Sequence, residues 1–145
     1  MGASGKSTGR LALLTLLGLA AACQGALAEQ CLRYEPDVVS LQGTLQLKAF
    51  PGPPHYQSME FGDQPEAIWM LTLARPICIG ALAGDSWNVA REGVQTLEIV
   101  PRTSFALSLN GRAVQIQGTL SRAPQGSHRH SDIILRATRV AASSP

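Results

Sequence analysis

Cysteine is scarce in this chain: three in 145 residues, at positions 23, 31 and 78. None form a CxxC pair, so the spacing of most thiolate metal sites is missing. Aromatic residues make up 5% of the chain. The predicted strands offer mainly Trp69 for stacking, and alternation places it with the core set. A single-strand nucleic-acid binder would present several such rings on an open face, so nucleic acid is not an expected partner. Charge is thin as well, 15% of residues with a formal net charge of +2. That gives little bulk attraction to nucleic acid or anionic lipid. The apolar run Leu11–Ala22 is 12 residues long, too short to span a bilayer well. No GxSxG nucleophile turn occurs. Gly2–Thr8 (GASGKST) resembles part of a phosphate-binding loop but lacks the first-glycine spacing. Glu60, Asp63 and Glu66 fall in a stretch that would hold them loosely, so they read as solvated. No catalytic residue is expected, and no enzyme.

What is present starts with an export signal. Lys6 and Arg10 precede the apolar run, and Ala26-Leu27-Ala28 is a small-x-small cleavage site. Residues 1–28 are read as a secretory signal peptide, giving a periplasmic or secreted protein with no transmembrane span in the mature chain. Ala20–Ala22 before Cys23 offers an alternative, a lipoprotein lipidated at Cys23. Removing the leader leaves Cys31 and Cys78. An even count in an oxidising compartment favours a disulfide between them; a metal–thiolate pair is the alternative. The mature chain has ten basic and ten acidic residues, unevenly placed. Residues 29–100 carry 4 basic and 9 acidic side chains, residues 101–145 carry 6 and 1. In a closed barrel the sequence halves interleave, so internal pairing is expected, with a basic binding face as the alternative.

The body is organised around Val38–Leu47 (VVSLQGTLQL). Val39, Leu41, Leu45 and Leu47 share one face and Ser40, Gln42, Thr44 and Gln46 the other, the period of a half-buried strand. Gly43 interrupts the apolar face, as a bulge or sharp bend would. Residues 114–120 (VQIQGTL) repeat the phrase, with Gly118 in phase. Further strands are predicted at Ile68–Leu73, Val94–Val100, Arg112–Leu120 and Asp132–Val140, with Ile77–Ile79 continuing the second past a bulge. Thr103–Leu109 is predicted as one or two helical turns, capped by Thr103 or Ser104 and stopped by Asn110-Gly111. Five strands with a short helix between the third and fourth give an all-β fold with minor α, a small OB-like barrel. The domain spans 37–141. Residues 29–36 are a disulfide-stapled lead-in with Tyr34 over the barrel end, and 142–145 a frayed tail. A monomer is expected.

Several stretches together carry a family resemblance. They are Cys31–Pro36 (CLRYEP), Leu41–Leu45 (LQGTL), Phe50–Pro54 (FPGPP), Gly62-Asp63, Trp69–Leu73 (WMLTL), Pro76–Ile79 (PICI), Val114–Leu120 and His128–Ser131 (HRHS). In this order the chain resembles the bacterial domain of unknown function family 4431. The resemblance implies an exported small β-domain of uncharacterised role, and no activity. Relatives carry a denser histidine cluster in the last hairpin, which Arg129 interrupts here.

Two segments stand out as candidate sites. Phe50–Tyr56 (FPGPPHY) cannot continue a regular ladder, because proline has no amide donor. It opens a polar loop about 18 residues long, a length that is often functional. The second segment is Ser121–Ser131, with His128 and His130 two residues apart. On an extended strand both rings would point the same way, as a zinc or copper pair requires. His55 would be a third ligand, and Asp63 or Asp132 a carboxylate. A solvated loop explains the same histidines without metal. Phe50, His55, Tyr56, Trp87 and Arg129 are the candidate binding residues, with Trp87 either a ligand platform or a core cap. The expected function is a non-catalytic binding module for a protein or envelope polymer. The alternative is a periplasmic metal-binding protein.

Overall fold

A computed structural model describes residues 30–143, together with residues 1, 2 and 5. The rest of the leader, with its cleavage site and Cys23, and the last two residues lie outside the described residues. Five strands make up the fold: β1 (Val38–Pro51), β2 (Pro65–Ile79), β3 (Arg91–Pro101), β4 (Arg112–Arg122) and β5 (Ile133–Ala142). They close in the order β1-β2-β3-β5-β4 and back to β1. All neighbours are antiparallel except β3 and β5, which run parallel. This is the order of an OB barrel. Among the described residues, no helix is long and apolar enough to cross a membrane.

Alternation sets what points inward. Val39, Leu41 and Leu45 meet Trp69, Leu71 and Leu73, then Leu97 and Ile99, Val114, Ile116 and Leu120, and Ile133, Leu135 and Ala137. Every strand contributes, so the core forms only when the ring closes. The strands run further than the apolar pattern predicts. β1 continues through Phe50 and Pro51, and β2 starts at Pro65. The loop between them therefore shrinks to residues 52–64. Prolines sit at these strand ends, where a ladder can do without the missing donor. β2 runs on through Pro76 to Ile79 past register shifts, as expected for a bulge. Ala142 still belongs to β5, and the Ser143 amide donates to the Ala113 carbonyl at 2.9 Å. The described part of the tail is thus bonded rather than frayed.

Gly43 makes no bulge. It pairs in regular register with both Leu73 and Val114. Its lack of a side chain serves a close approach, because a Cβ there would strike the Thr72 carbonyl. Gly118 does adjoin a register shift in the β4–β5 ladder, and a Cβ there would strike the Arg136 carbonyl. The two copies of the phrase thus let β1 and β4 coil tightly against β2 and β5.

The helix between β3 and β4 is shorter than predicted, one 3-10 turn at Leu107–Leu109. Neither Thr103 nor Ser104 caps it; Ala106 holds the N-cap position without a side-chain bond. Phe105 and Leu109 still pack against the core, with Phe105 against Trp69 at 6.0 Å between ring centres.

The Cys31–Cys78 disulfide is present. Beside it Leu32 bridges to Ile79, its amide donating to the Cys78 carbonyl and its carbonyl accepting from Gly80. Tyr34 is buried with the core residues, and its hydroxyl donates to the carbonyl of Val89, in the β2–β3 connection, at 2.9 Å. Burial raises the Tyr34 pKa, against an opposing pull from Arg91 and Arg122.

Candidate functional site

Outward positions on a small barrel usually meet water. Here Met70, Glu98, Ile134 and Ser121 lie side by side across β2, β3, β5 and β4, point outward, and are all buried. A carboxylate at 1% exposure needs partners. Residues 123–132, between β4 and β5, supply them. Arg129 Nη1 donates to Glu98 Oε1 at 2.6 Å, and the His130 amide donates to Oε2 at 2.8 Å. Ser131 Oγ donates to the Thr96 carbonyl at 3.0 Å. The loop is thereby folded down onto the sheet, and Arg129 is committed to an internal ion pair.

The loop of residues 52–64 completes the cover. Phe50 stacks on His130 at 3.7 Å and 9° between planes, and Tyr56 on His128 at 3.9 Å and 10°. Tyr56 and His128 both have positive φ, 58° and 49°. Left-handed backbone costs a non-glycine residue about 1–2 kcal/mol. A stacked aromatic pair returns roughly 0.5–1.5 kcal/mol beyond its burial, so each loop holds the other in place. The histidines therefore do not stand on an extended strand. His55 turns to Asp63, Nδ1 to Oδ1 at 3.2 Å. Among the described residues, no three His, Cys, Asp or Glu side chains gather where they could hold a metal ion.

Asp63 organises the first loop. It is buried, unlike the solvated carboxylate expected from its neighbourhood, while Glu60 and Glu66 are exposed as expected. Its Oδ2 accepts from the amides of Gln57 and Ser58 at 2.7 and 2.9 Å. Its Oδ1 accepts from the His55 amide at 2.9 Å. The Ser58 and Gln57 amides lower its pKa to about 2, against burial and with further help from His55. The loop's ends are tied by Gly52 N to the Gln64 carbonyl and Gln64 N to the Pro53 carbonyl, at 2.7 and 2.8 Å. From this frame a 3-10 turn, Met59–Phe61, projects, N-capped by Ser58 and closed by Gly62 in the left-handed region. Phe61 is 86% exposed and Met59 46%. A large ring held in water by a rigid loop is the least expected feature of this surface.

Trp87 stands outside the core cluster. It is half-buried, and the Arg122 guanidinium covers one ring face at 4.4 Å while donating to the Trp87 carbonyl at 2.9 Å. Asp85 fixes the turn through the amides of Trp87 and Asn88, and the Trp87 amide lowers its pKa most. A shallow crevice of about 230 Å³ runs between Trp87, Arg122 and the 123–132 loop, past His128 and Arg129.

The expected binding residues Phe50, Tyr56 and Arg129 thus come together with His128 and His130, but they face one another. Sequence reasoning missed Met59 and Phe61. Their signal was an apolar pair inside a polar stretch, and nothing local showed that Asp63 would hold that pair rigid. The chain matches no family model and none of the curated proteins. The resemblance to family 4431 therefore rests on its motifs alone.

Proposed function

We infer that the protein is an exported, non-catalytic binding module that engages a protein of the cell envelope through the tip of the 52–64 loop. The observation that carries this is Phe61, exposed beside Met59 on a loop that Asp63 holds in one shape. A preformed loop loses little entropy on binding. Covering Phe61 would contribute about 1.5–3 kcal/mol. Methionine adapts to an irregular partner surface. Export is supported by the leader pattern and by the Cys31–Cys78 bridge, which suits an oxidising compartment. The stacked Phe50, Tyr56, His128 and His130 are read as the frame of the site rather than its contact surface.

The test is affinity capture from envelope extract with the parent and with Met59→Ala/Phe61→Ala. Both positions are exposed, so the variant should melt with the parent. A partner held by the parent and lost by the variant is the expected result. Equal recovery by both proteins removes the tip from the interface.

A further inference from the structure

We propose a second binding surface, on the outer face of β1, β4 and β5, that takes an acidic polysaccharide strand. These three strands are hydrogen-bonded neighbours. Together they contain no Asp or Glu. The strand glutamates, Glu66, Glu92 and Glu98, all lie on β2 and β3. The outward positions line up across the ladders as Ser40–Gln117–Arg139 and Val38–Thr119–Arg136, with Gln42 opposite Gln115 alongside. Arg102 joins them, its amide bonded to the Ala137 carbonyl. Arg102, Arg136 and Arg139 are exposed, and none takes part in an ion pair among the described residues. Among the described residues, the pairing expected between the acidic and basic sequence halves is met by Arg129 with Glu98 alone. Among those residues Arg136 and Arg139 stay unpaired on β5, and neither it nor β4 and β1 beyond it carries an acid.

The chemistry of that face fits a hydroxylated polyanion. Arg136 and Arg139 pair with β4 positions two residues apart, which spaces them about 7 Å along the strand. Guanidinium forks at such spacing suit successive carboxylates. Gln42, Gln46, Gln115 and Thr44 are exposed and offer amide and hydroxyl groups to sugar hydroxyls. One internal bond, Gln115 Nε2 to Ser40 Oγ at 2.9 Å, orients part of the set. Beside it a groove of about 260 Å³ opens where Gly43, Ala74 and Ala113 leave room next to Gln42 and Thr44. The face has no aromatic ring on which a base could stack, which disfavours single-stranded nucleic acid. It is also distinct from the β2–β3 face through which OB barrels commonly bind, because the protein's own loops cover that face here.

Affinity electrophoresis of the disulfide-bonded protein tests this, with polygalacturonate, neutral dextran or single-stranded DNA as the probe. Polygalacturonate should retard the parent, less so as salt rises, and dextran should not. Arg136→Gln/Arg139→Gln should weaken retention at least tenfold with melting unchanged. Met59→Ala/Phe61→Ala should leave it untouched, so this surface and the loop tip can fail separately. No retardation by polygalacturonate at low salt would overturn the proposal. So would parent-like retention of the arginine variant, or equal retention on dextran. DNA bound as tightly as polygalacturonate near physiological salt would overturn the choice of a glycan.

Discussion

Asp63 decides the shape of the site with one carboxylate. Its pKa of about 2 lies below the ordinary 3.8 because the Ser58 and Gln57 amides bond the charged form. A depressed carboxylate pKa stabilises the fold fully above the ordinary value and loses that contribution as pH falls through the folded one. The loop should therefore hold its geometry at about pH 4 and above and loosen toward pH 2. Amide NMR shifts of His55, Gln57 and Ser58 should titrate together in that window. In Asp63→Asn the three amides should show no such titration, and the loop should be looser at every pH. Unmoved amide shifts in the parent would mean that Asp63 does not hold the loop. Glu98 anchors the other loop by hydrogen bonds, accepting from Arg129 and from the His130 amide.

Each strand is built from alternation, and two of them depend on a glycine. Gly43→Ala and Gly118→Ala each push a methyl group into a neighbouring strand's carbonyl. Each should lower stability by about 1–3 kcal/mol, the usual range for overpacking a tight site, read as a fall in the denaturation midpoint. A neutral Gly43→Ala would show that β1 can move away from β2. The alternating residues of Val38–Leu47 and Val114–Leu120 made the barrel legible, since every inward position could be counted off. Strand ends were less legible, because Pro51, Pro65 and Pro101 look like breaks and are terminal strand residues. The outward buried row was not legible at all. Met70, Glu98 and Ile134 alternate as solvent-facing residues do, and what covers them comes from loops far away in sequence. Glu98 is 31 residues from Arg129. The sequence singles out His128 and His130 as a metal pair, and only the fold shows that each ring rests on an aromatic of the other loop.

For the whole molecule, the disulfide closes a sequence separation of 47 residues. A loop of that size contributes about 4 kcal/mol in the chain-entropy model. Reduction should lower unfolding stability by roughly that amount and release the Leu32–Ile79 bridge, while the barrel ladders persist. An unchanged denaturation midpoint after reduction would mean that the ring alone holds the lead-in. Around this ring the molecule divides its surface. Two interlocked loops cover the Met70–Glu98–Ile134–Ser121 row, strands β1, β4 and β5 carry no acid, and the first loop's tip exposes Met59 and Phe61 on either side of Glu60. The central claim is that this tip is a contact surface. It is tested most directly by placing a photo-crosslinking phenylalanine at position 61 or 107 in protein expressed in its own cells. Leu107 is 72% exposed and lies in the β3–β4 connection, outside the loop, so it controls for exposure alone. A discrete adduct from position 61 and none from position 107 is the predicted result. No adduct at 61, or the same adducts from both positions, would contradict it.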